Sequence, residues 1–223
     1  METSTKSTGE QPLVIRLLLA CGAIGPLLFI VVFLIEGAAR PGYSVWQDTV
    51  SALSLGEGGW MQITNFIVCG VLVLGFAIGL RLRLCTGRGS TWGPILFGIF
   101  GLCLIGAGIF VTDPGLGYPH EARTITLTVH GTIHSLLSLF GFISLSAACF
   151  VLARRDTADQ ASRGWVWYSV ATGLLVVVFF VLTGVVTALN GPAGLTQRIC
   201  ILVGWSWIAL LAIRLMSRLV PLA

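Results

Sequence analysis

Charged side chains are scarce in this chain of 223 residues: they make up 10% of it, whereas hydrophobic residues make up 56%. The mean hydropathy is +0.94. A soluble domain carries roughly 25% charged residues, because water must solvate its surface. The deficit excludes a soluble globular domain and indicates a surface that mostly contacts lipid. Arginines at the ends of membrane helices explain the net charge of +4, so we expect no nucleic-acid partner.

Several signatures of common functional sites are also missing. The six cysteines contain no Cys-x-x-Cys pair, which argues against a zinc ribbon or a disulfide framework. The chain has no nucleotide-binding loop, no Ser-His-Asp order and no haem signature. The first apolar run is too long for a signal peptide and lacks an Ala-x-Ala-like cleavage site, so we expect it to remain as a membrane span.

Six apolar runs are long enough to cross the hydrocarbon core as helices, which takes about 20 residues. They are Leu17–Ile35, Ile63–Leu80, Gly93–Thr112, Leu127–Leu152, Trp165–Leu189 and Ile199–Ile213. Because lipid offers the backbone no hydrogen-bond partner, each run must be helical. The sequence predicts an all-α integral membrane protein with one six-helix bundle at 13–218, a polar tail at 1–12 and a short end at 219–223.

Basic residues are distributed unevenly between the loops. With the N-terminus in the cytoplasm, ten of the 13 basic residues fall on the cytoplasmic side, and only Arg40, Arg123 and Arg198 fall on the outer side. Basic loops are preferentially kept inside. The asymmetry predicts a multi-pass plasma-membrane protein with both termini in the cytoplasm.

The first outer loop, Gly37–Trp60, shows an amphipathic pattern. Within Tyr43–Leu55 the apolar residues recur at helical spacing, opposite Gln47, Asp48 and Ser51. This pattern predicts a short helix in the outer membrane interface, which could cover an opening in the bundle.

Glycines at helical spacing indicate close helix packing. Gly75-x-x-x-Gly79 lies on the second span, and Gly101 and Gly106 lie on the third. Small residues let membrane helices approach and gain van der Waals contact. We expect this contact to be within the chain; the alternative is a homodimer interface.

His130 and His134 are four residues apart on the fourth span and therefore share one face of a helix. Ionisable groups inside a span usually face the bundle interior and mark a function. Together with Asp113 at the end of the third span, they could bind zinc, and a zinc-bound water could attack an ester or amide. Two alternatives remain open: histidines that fix helix packing by hydrogen bonds, and a proton relay or pH sensor.

Other polar residues are expected on the outer side beside these three. Asp48 and Ser51 are further candidates for a catalytic role. A lipid phosphate or a substrate carboxylate would find partners among the outer arginines, although arginines that only extend to headgroups are the alternative. The candidate ligand-binding residues are Glu36, Arg40, Tyr43, Arg123 and Arg198.

Two groups of motifs carry a family resemblance. The first runs through Pro41-Gly42-Tyr43, Asp48-Thr49-Val50-Ser51-Ala52-Leu53-Ser54, Gly59-Trp60 and Asn65-Phe66, and the second is Asp113-Pro114 followed by His130-Gly131-x-x-His134. Over nearly its whole length the chain resembles the prokaryotic membrane family called domain of unknown function 998. That resemblance implies a compact multi-helix bundle with its motif residues on one face, and no agreed activity.

A fainter similarity is to the alkaline ceramidase and adiponectin-receptor superfamily of membrane hydrolases. Those proteins combine a serine, an aspartate and a His-x-x-x-His pair around zinc. They have seven spans, with the paired histidines on the last. Here the pair lies on the fourth of six, so this similarity only names residues to test.

The sequence thus predicts a polar pocket that opens to the outer leaflet and binds a lipid headgroup or another small molecule. The alternatives are a zinc-dependent membrane hydrolase that acts on a lipid, a proton-coupled transporter and a non-catalytic accessory subunit. The inner halves of the spans offer few polar residues beyond Ser144, Ser146 and Ser169, which disfavours transport. A transport path needs polar groups on both sides of the midplane.

The arginine asymmetry makes a topology prediction. Cysteines introduced near Gly87 and Gln160 should react with a membrane-impermeant thiol reagent only from the cytoplasm, and cysteines near Gly58 and Gly194 only from outside. Accessibility labelling in intact cells and in inverted vesicles measures this. Reversal at a single loop would contradict the six-span arrangement.

Overall fold

The computed structural model describes residues 10–115, 118–119, 127–155 and 162–219. Within these ranges, six α-helices are long and apolar enough to cross a membrane. They are α1 (Glu10–Ala39), α2 (Gly59–Arg83), α3 (Trp92–Ile109), α4 (Val129–Ala153), α5 (Arg163–Ala188) and α6 (Ala193–Ser217). The predicted all-α membrane fold with six spans is confirmed.

Most helices extend past the predicted apolar runs, because polar and small residues continue them toward the headgroup region. For example, α1 begins at Glu10 and ends at Ala39. The third helix ends earlier than predicted, at Ile109 and not at Thr112, while α4 begins at Val129 and α5 ends at Ala188, slightly inside their predicted bounds. Phe110 is already extended, with φ −96° and ψ 94°. Pro114 follows closely, and the residue before a proline is pushed out of the helical region.

The helices form a closed ring in chain order. Each packs mainly against its neighbours along the chain, and α6 returns to pack against α1. Because each helix spans the bundle, consecutive helices run in opposite directions. The ring therefore places every second connection at the same end.

The two ends of the ring differ in charge. The "polar end" carries the α1–α2, α3–α4 and α5–α6 connections, with the carboxylates of Glu36, Asp48 and Asp113. The "basic end" carries the other two connections and both ends of the bundle. Its arginines are Arg16, Arg81, Arg83, Arg88, Arg154, Arg155, Arg163, Arg214 and Arg218.

Aromatic side chains fill much of the ring interior. Phe29 of α1 stacks on Trp205 of α6, with ring centroids 4.5 Å apart. Nearer the basic end, Trp207 stacks on Phe97 and on Trp165, at 6.0 and 6.4 Å. Large rings gain extensive dispersion contact, which matters in lipid because burial of apolar surface no longer drives helices together. The centre is a packed core and not a pore.

The connection between α1 and α2 is helical over a shorter stretch than the amphipathic pattern predicts. A 3-10 helix covers Val50–Ser54 alone, and all five of its residues are buried. It packs against α1, α2 and α6. The preceding residues Val45 and Trp46 are exposed. The segment is therefore part of the bundle end, and its placement in the membrane interface stays a prediction.

The glycines predicted for close packing are used within the chain. A Cβ atom on Gly70 of α2 would lie 2.7 Å from the carbonyl oxygen of Gly101 on α3, and one on Gly101 would lie 2.9 Å from that of Gly70. A Cβ atom on Gly79 would lie 2.8 Å from Leu18 of α1. At these crossings the backbones approach too closely for any side chain.

Replacing Gly101 with leucine should lower the melting temperature in detergent, because the side chain would collide with backbone. Overpacking of this kind typically costs about 1–3 kcal/mol. Gly106→Leu should do less harm, since its Cβ would meet only the flexible Leu137 side chain. Gly98→Leu on the same helix is the matched control, because nothing lies within 4 Å of a Cβ there. Equal melting of the Gly101 and Gly98 variants would contradict the crossing.

Candidate functional site

Arg198 holds the polar-end loop onto α6. Its side chain is 9% exposed, and Nη1 donates to the carbonyl oxygens of Val45, Asp48 and Gly194 at 2.7, 3.1 and 3.0 Å. Nη2 donates to the hydroxyl of Tyr43 at 2.6 Å. Irregular backbone near the membrane needs such donors, because its carbonyls have no helical partner. The guanidinium group is thus engaged by the protein itself.

Arg40 likewise donates hydrogen bonds to backbone carbonyls in the second half of the α1–α2 connection. It forms a salt bridge with Glu36 at 2.9 Å, one turn back on α1. It also donates to the carbonyl oxygens of Leu53, Leu55 and Glu57 at 3.2, 3.1 and 2.6 Å. These contacts engage Arg40 and Oε1 of Glu36, whereas Oε2 of Glu36 is buried without a hydrogen-bond partner among the described residues. Ligand binding by these residues stays a prediction. Arg123, the third predicted outer arginine, lies outside the described residues.

Tyr43 and Asp48 brace the turn between these arginines. The Tyr43 hydroxyl donates to the carbonyl oxygens of Asp48 and Thr49 at 3.1 and 3.0 Å. Burial raises the pKa of Tyr43 to about 12, although nearby Arg198 opposes the rise, so the hydroxyl stays a neutral donor. Asp48 Oδ2 accepts from the Ser44 amide at 2.6 Å. Burial also raises the pKa of the Asp48 carboxyl above its usual value.

Asp113 organises the start of α4. Its carboxylate accepts from the amide and the hydroxyl of Thr128 at 2.9 and 2.6 Å. Thr128 in turn caps α4 by accepting from the Gly131 amide at 3.0 Å. A capping side chain satisfies an amide that has no partner within the helix. A Cβ atom on Gly131 would collide with the Asp113 carboxylate, so this close approach requires glycine.

His134 points into the bundle, as predicted. It is 4% exposed, and its Nδ1 lies 3.1 Å from the carbonyl oxygen of Ala107 and 2.9 Å from that of Phe110, at the end of α3. Carbonyl oxygens only accept, so Nδ1 must carry a proton. In the neutral ring, Nε2 is then an acceptor. The ring lines two adjoining cavities, where this nitrogen can meet a ligand.

His130 and His134, which were predicted to bind zinc together with Asp113, lie in different environments, and zinc binding by these residues stays a prediction. His130 is exposed in the first turn of α4, where its ring packs against Phe110 with centroids 5.6 Å apart. One turn deeper, α3 covers His134 and occupies its Nδ1. Across the described ranges, no group of three histidine, cysteine, aspartate or glutamate residues could hold a metal ion. The two histidines lie on one face of α4, but the end of α3 covers His134 and leaves His130 exposed.

The cavity at the polar end, called the "polar cavity", has a volume of about 520 Å³. That size is typical of small-molecule sites, which measure roughly 300–1,000 Å³. Four of the predicted site residues line it: Asp48, Ser51, Asp113 and His134. Glu36, His130 and Arg198, which we expected in the same pocket, do not line it. The structure therefore brings together a subset of the predicted residues.

Residues of α4 and α5 form one side of the polar cavity. Toward the basic end these helices touch, with Ser146 Oγ donating to the Gly173 carbonyl at 2.9 Å. At mid-height the rings of Phe142 and Phe180 pack 5.0 Å apart. Nearer the polar end both helices line the cavity, through Ser135, Ser138, Gly184 and Thr187. Ser135, Gly184 and Thr187 are also exposed on the surface of the bundle.

A smaller chamber of about 40 Å³ adjoins the polar cavity deeper in the ring. Its wall is mostly apolar, with Phe100, Leu104 and Trp205 among its residues. Ser51, His134, Ser138 and Gln197 line both spaces. These shared residues mark a junction where a polar group and an apolar group of one molecule could be held together.

The comparison with known proteins concerns the part of the chain that builds this site. A family profile described as "Protein of unknown function (DUF998)" matches residues 23–214, from α1 to α6. The chain belongs to this family. The predicted resemblance is confirmed, and this DUF998 protein is a polytopic membrane protein. No curated protein and no solved structure matches the chain significantly.

Sequence reasoning missed Gln197 of this DUF998 protein. Its side-chain oxygen accepts from the Val50 amide at 2.5 Å, which ties α6 to the 3-10 helix. The amide NH₂ is then available to a ligand at the junction. Thr183 and Thr187 on α5 were missed as well, although their spacing of one turn within a span was a readable signal. No spacing or motif in the sequence pointed to Gln197, which adjoins Arg198 near the start of α6.

Arg198→Lys should destabilise the protein, because one ammonium group cannot replace both the Nη1 bonds to the three carbonyls and the Nη2 bond to the Tyr43 hydroxyl. A buried acceptor left without a donor costs roughly 1–3 kcal/mol, so a loss of about 2 kcal/mol or more is expected. Thermal unfolding in detergent measures it. Arg81→Lys is the control, since Arg81 is exposed and contacts only the Cys85 carbonyl, at 3.5 Å. Unchanged melting of the Arg198 variant would show that these bonds do not hold the loop.

Proposed function

We propose that this DUF998 protein binds an amphiphilic molecule in the polar cavity, with the headgroup at the polar end and the apolar part leaving between α4 and α5. The observation that carries the proposal is a cavity of about 520 Å³ whose wall combines the acidic residues Asp48 and Asp113 with exposed residues of two membrane helices, such as Ser135 of α4 and Gly184 of α5. An amphiphile could place its headgroup there while its acyl chains stay in the bilayer.

The charge of the cavity selects among headgroups. Among the described residues that line it, Asp48 and Asp113 are acidic and none is lysine or arginine. A phosphate or carboxylate without a counter-charge would be repelled in this low-dielectric setting. Neutral hydroxylated headgroups and cationic amines fit better. We therefore propose a ligand whose recognised group carries a hydroxyl or an amine.

The junction residues support a hydroxyl in particular. His134 presents the Nε2 acceptor, and Gln197 presents its NH₂ donor, since the other polar atom of each is engaged by backbone. A hydroxyl group both donates and accepts, so one such group can satisfy both side chains. A dedicated binding function explains why His134 has one nitrogen held rigidly and the other turned to a cavity.

Two other functions receive less support from the same residues. The described side chains offer no metal-ligand group for a zinc hydrolase. Ser51 Oγ lies 3.3 Å from the Thr49 hydroxyl, a contact that gives it no activating base. For transport, the polar cavity leads inward to the small apolar chamber and the aromatic core. Binding is thus the function that the geometry favours.

The orientation in the cell is a further part of the proposal. The ten-to-three distribution of basic residues supports placing the basic end in the cytoplasm of a plasma-membrane protein. The polar cavity would then open toward the outer leaflet. Its ligand would be drawn from that leaflet.

Filling the cavity should abolish binding without unfolding the protein. Gly184 lines the cavity, and nothing lies within 4 Å of a Cβ there, so Gly184→Phe places a ring in free space. Gly98→Phe is the matched control on a different face. In phosphatidylcholine nanodiscs, added diacylglycerol or phosphatidylethanolamine should raise the melting temperature of the wild type and of Gly98→Phe, but not of Gly184→Phe.

The same assay tests the junction through His134→Asn. The asparagine NH₂ can replace the Nδ1 donor to the α3 carbonyls, whereas the Nε2 acceptor is lost. Melting without ligand should change little, and the apparent affinity should fall about ten-fold, as expected for one lost hydrogen bond in a buried site. Equal lipid responses of the Gly184 and Gly98 variants, or no response of the wild type, would refute the proposal.

A further inference from the structure

The wall of the polar cavity carries many more hydrogen-bonding groups than one ligand hydroxyl can use. Among the described residues, seven serines and threonines line it, together with the carboxamides of Gln47, Asn190 and Gln197. A single hydroxyl at the junction would contact only His134 and Gln197. The rest of the wall therefore matches a headgroup that carries several polar groups.

The hydroxyl groups on α4 and α5 present acceptors to the cavity. Ser135 Oγ donates to the Gly131 carbonyl at 2.9 Å, and Thr187 Oγ1 donates to the Thr183 carbonyl at 2.7 Å. Each hydroxyl has one proton, and the helix backbone accepts it. Toward the cavity, the oxygens of Ser135 and Thr187 can therefore only accept a hydrogen bond.

The carboxamides add donors to the same wall. The oxygen of Gln197 accepts from the Val50 amide, so its NH₂ group is the part that can donate to a ligand. Gln47 and Asn190 are exposed at the polar end, and each carries both an NH₂ donor and a carbonyl acceptor. Donors and acceptors thus alternate around one space.

This mixture favours a sugar over an amine. An ammonium group has three donors and no acceptor, so it would leave the NH₂ groups of the carboxamides without a partner. A hydroxyl donates and accepts, and a pyranose ring carries hydroxyls on neighbouring carbons. Because Asp48 and Asp113 are the charged residues among the described lining, a sugar that bears a phosphate or a carboxylate would be repelled.

Two aromatic rings line the cavity beside the polar groups, Tyr118 and Phe180. Tyr118 is buried and packs edge-to-face with Tyr43, with ring centroids 5.2 Å apart and planes at 82°. The face of an aromatic ring carries partial negative charge, so it attracts C–H groups. A pyranose ring has a face of C–H groups and a rim of hydroxyls, and the cavity wall offers a partner for each.

We propose that the polar cavity recognises a neutral sugar ring, carried either by a glycolipid or by a free glycoside. This inference rests on the proposed function, in which the polar cavity binds a ligand, and it names the chemical class of the recognised group. A volume of about 520 Å³ lies within the range of roughly 300–1,000 Å³ that is typical of small-molecule sites, and it gives room for a ring beside the junction.

The experiment uses the full-length protein in phosphatidylcholine nanodiscs, because many detergents are themselves glycosides. Monoglucosyldiacylglycerol and monogalactosyldiacylglycerol are compared with diacylglycerol that has the same acyl chains, and methyl glucoside and methyl galactoside are added from water. The tighter-binding glycolipid should raise the melting temperature at about ten-fold lower content than diacylglycerol, since the ring adds hydrogen bonds. A response to the glycolipid alone identifies a lipid-borne sugar, and an equal response to a methyl glycoside identifies a free one.

A matched pair of variants locates the sugar. Thr187→Val keeps the shape of the side chain and removes an acceptor outside the junction, so glycolipid affinity should fall about five-fold more than diacylglycerol affinity. Thr132→Val is the control. Thr132 is also exposed and also donates one turn back, to the Thr128 carbonyl at 2.8 Å, but it does not line the cavity.

The outcomes separate this inference from the proposed function. Diacylglycerol that binds as tightly as both glycolipids, or equal effects of the two threonine substitutions, would overturn the sugar and leave binding of an amphiphile intact. No response to any glycolipid, to diacylglycerol or to phosphatidylethanolamine would refute the proposed function, and the sugar site with it.

Discussion

The requirement that every backbone polar group find a partner away from water governs this structure. Inside the helices the requirement is met locally, but wherever a helix ends, a side chain must complete it. Arg40 and Arg198 complete the loop after α1, His134 completes the end of α3, and Asp113 with Thr128 completes the start of α4. Polar side chains in the spans therefore form hydrogen bonds mainly to backbone groups. A ligand can bind only the polar atoms that have no such partner.

The sequence was sufficient for the spans because hydropathy and length act along the chain. The close packing at Gly79 and Gly101 also follows from the sequence, since small residues recur where helices cross, whereas Gly70, the partner of Gly101, was not predicted. A short helix in the α1–α2 connection was predicted as well, but over a longer stretch than the 3-10 helix at Val50–Ser54. Its apolar residues were visible, but whether they face lipid or the bundle depends on Arg40 and Arg198, and the pairing of Arg198 joins residues about 150 positions apart.

The candidate site could be predicted only in part. The face shared by His134 and Ser138 is a property of one helix, so the sequence reveals it. The position at which α3 ends beside α4 cannot be read from the sequence of α4. That position decides that His134 is covered while His130 is exposed. The cavity itself is lined jointly by α4, α5, the start of α6 and the polar-end connections. Such a space is a relation between several elements, and no pattern along any one of them encodes it.

The position of Arg198 has a consequence for how the protein is made. The loop that it completes follows α1, and Arg198 lies in α6, so the loop is synthesised before its donor. Until α6 packs against α1, the carbonyls of Val45 and Asp48 lack the guanidinium group that they contact in the finished ring. The α1–α2 connection therefore gains its final hydrogen bonds only when the ring closes.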